Sequence, residues 1–291
     1  MKILIDNFSA LYQDNLCEKM HEYFKSKNKN SYLMHTKSNK LPFHMNKIQP
    51  DWYITSSIML KDEMFWNYVE NDSRDMLYIV MLHETCPSST MNEIEDNFKK
   101  NKKRYKIVGN NNFGSGYAIK YEENFINFPS FQTDLLITTE EIKWKKEFDF
   151  LLIGEHNRVD VEDLGELREN FSFHTQILGS TSCAEYVGPL SLDANVLCNY
   201  KSFVFYSNER RGLGKTFYDI CALRKPVYIL YGSTPKNTKK SLGMEIDISF
   251  DNIGKDNINF KDFHDHIAKE FSVENQMNKL FTHLPKPKKS Q

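Results

Sequence analysis

The sequence predicts an α/β protein built as two domains of similar size facing each other across a cleft. Three observations carry that prediction. Short, almost wholly apolar runs alternate with segments of helical periodicity from the first residues to about Ser130. The strand pattern then restarts after the stretch 136–148, and 291 residues suffice for two domains of ordinary size. Finally, Tyr200–Tyr231 contains, in order, an aromatic and β-branched strand, a glycine turn, a helix and a second strand. The expected domains are 1–135 and 136–291, with the last helix packing back on the first domain.

In the first domain Lys2–Asp6 (KILID) reads as a strand, 15–27 as a helix and 31–36 as a second strand. Residues 37–49, with Pro42, read as a loop. Asp51–Met59 is the third strand, and 61–71 a helix with Phe65, Trp66 and Val69 at helical spacing. Met76–Leu82 is apolar enough to be a central parallel strand covered on both faces. A helix through Phe98, capped by the Ser and Thr residues from Ser89, leads to strand Arg104–Gly109 and the segment 118–129. In the second domain the strands are 148–154, 171–179, a short piece near Tyr186, 203–206, 227–231 and 245–249. A helix from Thr216 to Leu223 stops before Pro226, and Phe260–Leu284 reads as one amphipathic helix.

Composition removes several classes. A formal net charge of -1, evenly divided, gives no global positive field for nucleic acid. Five cysteines without a CxxC pair fit a reducing cytoplasm and no zinc site. No apolar run approaches membrane-spanning length, and Met1–Ile5 does not begin a signal peptide, so a cytoplasmic protein is expected.

Candidate chemistry lies on loops after strands, where α/β sheets bind ligands. One is 154–158, in which Arg158 suits bidentate phosphate contact or is simply a solvated loop arginine. Another is 186–190, a tight turn at Gly188 and Pro189 whose backbone can meet a base. The third, 208–215, carries Arg211, Gly212, Gly214 and Lys215 ahead of a helix N-terminus. Its G-L-G-K-T lacks the Walker A spacing, and no GxGxxG follows the first strand. Asp219, one turn into that helix, can accept hydrogen bonds from a ribose diol, or can be a capping or ion-paired aspartate with Arg224 or Lys215 as its partner. In the first domain His83 and Glu84 follow the most apolar strand, where a general base is useful; Cys86 reads as a half-buried thiol. Ser56 and Ser57, ending the third strand, either line the same cleft or cap the next helix.

The second domain resembles the donor domain of GT-B nucleotide-sugar glycosyltransferases. RGLGKTFYDICALRKPVYI is similar to the family stretch usually written EGFGLPLLEAMACGKPVV. Gly212 and Gly214 then match its glycines, Asp219 the ribose-holding acid, and Arg211 replaces the first glutamate. FDFLLIGEHNR is similar to the opening strand and donor loop. A narrower resemblance is to bacteriophage DNA glucosyltransferases that modify hydroxymethylcytosine. It rests on Arg158, on the Ser-Ser pair of YITSSIM and on YIVMLHETCP, where the catalytic aspartate falls on His83 with Glu84 next.

The resemblance implies two Rossmann-like domains and a nucleotide-diphosphate sugar donor, a UDP-sugar first. It also implies inverting transfer with no strict need for a metal, because cations and helix dipoles neutralise the leaving diphosphate. The base takes the acceptor's proton, and an imidazole near its ordinary pKa of about 6.5 serves well, favouring His83 over Glu84. The phage likeness implies double-stranded DNA bearing hydroxymethylated pyrimidines as acceptor, and places the protein in a host cytoplasm. Lys99, Lys100, Lys102, Lys103 and Arg104 are the expected DNA-contacting cluster, or else a solvated helix end. Saccharide, lipid and small-molecule acceptors, and a non-catalytic nucleotide-binding protein, remain as alternatives.

Overall fold

The computed structural model describes residues 1–8, 16–34, 40–82, 88–109, 122–128, 143–154, 163–176, 186, 194–207, 215–231, 242, 247–255 and 258–286. The chain divides into two compact units, Met1–Pro129 together with Val273–Gln291, and Ser130–Ser272.

Unit 1 is a six-stranded parallel sheet. Its strands are β1 (Lys2–Asp6), β2 (Asn30–Met34), β3 (Trp52–Ser56), β4 (Leu77–Met81), β5 (Arg104–Gly109) and β6 (Phe125–Asn127), in the order β2-β1-β3-β4-β5-β6. Four helices alternate with them: α1 (Leu16–Ser26), α2 (Leu41–Ile48), α3 (Glu63–Asn71) and α4 (Ser88–Lys100). The central strands β3 and β4 are buried at every position, as parallel strands covered on both faces must be. One face packs Leu4, Tyr53, Tyr78 and Val80 against Met45 of α2, Phe65 and Val69 of α3 and Ile94 and Phe98 of α4.

The stretch 37–49, expected to be loop, contains α2. Pro42 sits in its first turn, where the missing N–H would have had no helical partner. The helix stops at Gln49, whose left-handed backbone (φ 51°) turns its N–H back onto the Met45 carbonyl. Of the segment 118–129, the described residues 122–128 form a 3-10 turn, Glu122–Asn124, and the three-residue β6.

Unit 2 is a four-stranded parallel sheet of β7 (Phe148–Ile153), β8 (Phe173–Thr175), β9 (Tyr200–Ser207) and β10 (Val227–Tyr231), in the order β10-β9-β7-β8. Isolated parallel bridges extend both edges, Thr175 to Tyr186 and Ile229 to Ser249, so the pieces near 186 and 249 are single contacts. Helices α5 (Asp163–Asn170), α6 (Ala194–Leu197), α7 (Lys215–Cys221) and α8 (Phe260–Glu270) accompany the sheet. Phe217 and Ile220 of α7 pack with Phe205 of β9 and Ile229 of β10, the packing expected of the helix after the glycine turn.

The expected single C-terminal helix is two. α8 ends at Glu270, and the residue that caps it, Phe271, leaves helical geometry (φ -106°, ψ 18°) while its ring stacks on Tyr218 of α7 at 4.6 Å. α9 (Val273–His283) then packs in unit 1: Tyr23 Oη donates to Asn278 Oδ1 (2.7 Å), Lys27 pairs with Glu274 (2.9 Å), and the Phe281 ring meets Trp52 at 5.5 Å. The break is what allows one apolar stripe to serve two cores. No described helix is long and apolar enough to cross a membrane.

Candidate functional site

In a parallel sheet, ligands bind beyond the strand carboxyl ends where the strand order reverses, because successive connections depart there to opposite sides. The orders place that reversal between β1 and β3 in unit 1 and between β7 and β9 in unit 2.

At the unit 1 reversal, register aligns Ile5 with Ile54. Asp6 therefore stands beside Thr55, and Asn7 beside Ser56. The Asp6 carboxylate is 1% exposed, and its Oδ2 accepts from Tyr53 Oη (3.1 Å) and Thr55 Oγ1 (3.4 Å). Burial first, and then the Asp6 charge, push the Tyr53 phenol well above its ordinary range, so it stays a donor. Asn7 Nδ2 donates to Glu18 Oε1 of α1 at 2.8 Å. Ser57 N–H extends the ladder by donating to the Met81 carbonyl (3.1 Å).

Asp6, Asn7, Thr55, Ser56 and Ser57 are all buried, a concentration of polar groups where an apolar core would be cheaper. Among the described residues the Ser56 and Ser57 hydroxyls have no hydrogen-bond partner. Neither caps a helix: the cap of α3 is Asp62, whose carboxylate accepts from Met64 N–H at 2.8 Å. Asp6 was missed in the sequence, where it ends KILID as an ordinary strand terminus. The signal was an acid closing an apolar strand at the first turn of an α/β unit.

At the unit 2 reversal, β7 ends at Ile153 and β9 at Ser207, the residues from which the 154–158 and 208–215 stretches depart. Tyr186 lies against Thr175 at the end of β8. Asp219 is 2% exposed in α7, a helix whose residues from Phe217 to Cys221 are all buried. Arg224, one of the two cations offered as its structural partner, bonds Asp265 at 2.8 Å. Burial, then the Asp219 charge, push the Cys221 thiol well above its usual range, which makes it inert as a nucleophile at neutral pH. Lys215 opens α7. His83, Glu84, Arg158, Gly188, Arg211, Gly212 and Gly214 lie outside the described residues.

The expected DNA-contacting cluster is corrected by the topology. Arg104 pairs in register with Leu77 at the amino end of β4, while Val108 pairs with Met81 at the carboxyl end. Four strand residues at about 3.3 Å each put Arg104 roughly 13 Å from the ligand edge. Three of the five cations are also engaged: Lys99 with Glu95 (2.9 Å), Arg104 with Asp75 (3.6 Å), and Lys103 with the Asp72 carbonyl. Lysines there complement the α4 C-terminus. Among the described residues no group of three or more His, Cys, Asp or Glu could hold a metal ion.

Two Rossmann-like α/β units in one chain are the parts of which a GT-B fold is built. No family model matches the chain, and no curated protein matches it in sequence. Solved structures do match. A glycosyltransferase from Rickettsia africae ESF-5 aligns over 97% of this chain and 97% of its own, at a TM-score of 0.57 and 11% identity. The S. aureus MnaA–UDP structure (TM-score 0.46, 11% identity, 97% and 96% covered) and the glycosyltransferase SnogD from Streptomyces nogalater (0.45, 7%, 97% and 98%) align less closely. At such identities what is shared is the fold.

Proposed function

We propose that the protein is a glycosyltransferase that moves a hexose from a nucleotide-diphosphate sugar to an acceptor hydroxyl. The observation that supports this best is the end-to-end match, 97% of both chains, to the Rickettsia glycosyltransferase. Fold alone does not choose a reaction, so the residues must carry the rest.

In this reading unit 2 is the donor side. Arg158, Arg211, Lys215 and the amides around Gly212 and Gly214 neutralise the diphosphate, the turn at Gly188 meets the base, and Asp219 holds the ribose diol. The acceptor hydroxyl attacks the anomeric carbon as His83, or Glu84, takes its proton. The bond to the diphosphate oxygen breaks, and its electron pair leaves with the nucleoside diphosphate. Inversion follows from one displacement, and cationic side chains in the leaving-group role allow turnover in EDTA.

Of the acceptors, hydroxymethylated pyrimidine in DNA rests on the local likeness of YIVMLHETCP and on the Ser-Ser pair. The removal of the Lys99–Arg104 cluster from the ligand edge weakens it. The test offers radiolabelled UDP-, GDP- and TDP-sugars with water alone, saccharides, lipid extract, plain DNA and hydroxymethylcytosine DNA. Slow nucleoside-diphosphate release with one donor is expected. No turnover with any donor, with or without acceptor, would leave the protein a nucleotide-binding module.

A further inference from the structure

We propose that the amino edge of the unit 2 sheet docks on an anionic phospholipid bilayer, with Lys143, Lys145, Lys146 and Lys225 as the cations and Trp144 as the aromatic anchor. This edge lies opposite the carboxyl ends of the same strands, where the donor loops depart, so the inference stands apart from the glycosyltransferase reading.

The chain enters the second sheet through 143–147. The Lys145 and Lys146 N–H groups both donate to the Cys198 carbonyl (2.8 and 3.2 Å), which fixes this stretch beside the start of β9. β10 begins at Val227, opposite Phe203 of β9, so Lys225 stands at the same edge. Its ammonium lies 4.3 Å from the centre of the Trp144 ring, and that ring meets Phe203 in a T-shaped contact at 6.4 Å. Lys143, Lys145 and Lys146 are exposed, and Trp144 is half-buried. These cations are crowded rather than neutralised. Burial, and then the Lys146 charge, hold Lys225 below its ordinary pKa, with no acid acting against them. The nearby acids are taken, Asp149 by Lys201 (2.7 Å) and Asp265 by Arg224 (2.8 Å) and Lys261 (3.0 Å). Among the described residues that leaves Glu147 against four lysines. Lys146 and Arg224 also hold left-handed backbone (φ 58° and 54°), a conformation that long side chains seldom adopt. Like charges gathered on one edge repel in the free chain and are relieved by an anionic partner.

The chemistry selects the partner. The cations come from two separate segments, 143–146 and 225, and so form a surface rather than a pocket for one phosphate. The arginine beside them, Arg224, is engaged by Asp265. What remains are lysines, point charges on flexible stems that suit mobile headgroups and lack the bidentate fork of arginine. Nucleic acid is disfavoured by the aromatic group itself, because Lys225 covers one face of Trp144 and leaves no base to stack there. A half-buried indole among lysines is instead the composition of a membrane–water interface, where the ring sits at headgroup level and the ammonium groups meet lipid phosphates. No described helix is suited to cross a membrane, so the association is with the bilayer surface.

The test sediments the full chain with vesicles of phosphatidylcholine alone, and of phosphatidylcholine and phosphatidylglycerol in equal parts. Binding is expected only to the anionic vesicles and should fall with added salt. Lys146→Gln and Lys225→Gln should each weaken it about fivefold, and Lys143→Gln, Lys145→Gln and Lys146→Gln combined about a hundredfold. Lys100→Gln with Lys102→Gln, which removes two lysines of unit 1, should leave it unchanged. Brominated acyl chains in the anionic vesicles should quench tryptophan emission in wild type and not in Trp144→Phe. Absence of binding to anionic vesicles would overturn the proposal, as would binding that the unit 1 pair weakens and the unit 2 triple variant does not. Quenching retained in Trp144→Phe would overturn the anchor. Tighter binding to duplex DNA than to vesicles, weakened by the same triple variant, would overturn the choice of partner.

Discussion

Acidification should weaken this fold in part through His264. It lies on α8 at 4% exposure, between the rings of Phe260 and Phe263, and its Nε2 has no partner among the described residues. Burial first, then the neighbouring Arg224 guanidinium, pull its pKa from 6.5 to about 4, against opposing pulls from a hydrogen bond to the Lys225 backbone and from Asp265. The folded-state value is depressed, so the unfolded chain binds the proton first. The stability is fully present above pH 6.5 and is lost as pH falls through about 4. At about 1.4 kcal/mol for each pH unit of that gap, the whole effect is on the order of 3 kcal/mol, and most of it is spent by pH 4.5. Urea unfolding of wild type and His264→Leu at pH 7 and pH 4.5, followed by circular dichroism and by Trp144 fluorescence in unit 2, measures it. The variant should lose about 2–3 kcal/mol less than wild type across that interval. Parallel losses would refute the reasoning and place the acid sensitivity elsewhere.

Three further outcomes are expected. Gly109→Ala puts a Cβ 2.9 Å from Leu82 Cβ, an atom fixed to its backbone, and should cost about 1–3 kcal/mol in thermal or urea unfolding. Leu280→Ala, at a residue of α9 that is 1% exposed, should cost about 2–5 kcal/mol and speed amide hydrogen exchange in α1, measured by mass spectrometry. Asp219→Asn and Arg158→Ala should each weaken UDP binding by tenfold or more in calorimetry; unchanged affinity in both would remove the donor roles proposed for them.

Most strands were legible because parallel strands covered on both faces leave a continuous apolar run, as Leu77–Met81 does. α2 was hidden by Pro42, which reads as a breaker until its place in a first turn is known. The division of 260–284 into two helices was hidden because both halves carry one helical stripe. That Phe271 packs on Tyr218 while Phe281 packs on Trp52 is a tertiary fact no periodicity records. The same limit applies to the sites. Ser56 and Ser57 were visible as a choice between lining and capping, and only the Asp62 cap and the unpaired hydroxyls decide against capping. Asp6 looked like any strand-ending acid until register set it beside Thr55.

The return of the chain to unit 1 at Val273 has a consequence for biosynthesis. Unit 2 is one uninterrupted segment and leaves the ribosome whole, whereas unit 1 must wait for its last helix. Until then Trp52, Phe24 and Tyr23 lack the Phe281 and Asn278 side chains that meet them in the finished protein. The half synthesised first is thus the half completed last, and this aromatic surface stays uncovered during elongation until the final helix emerges.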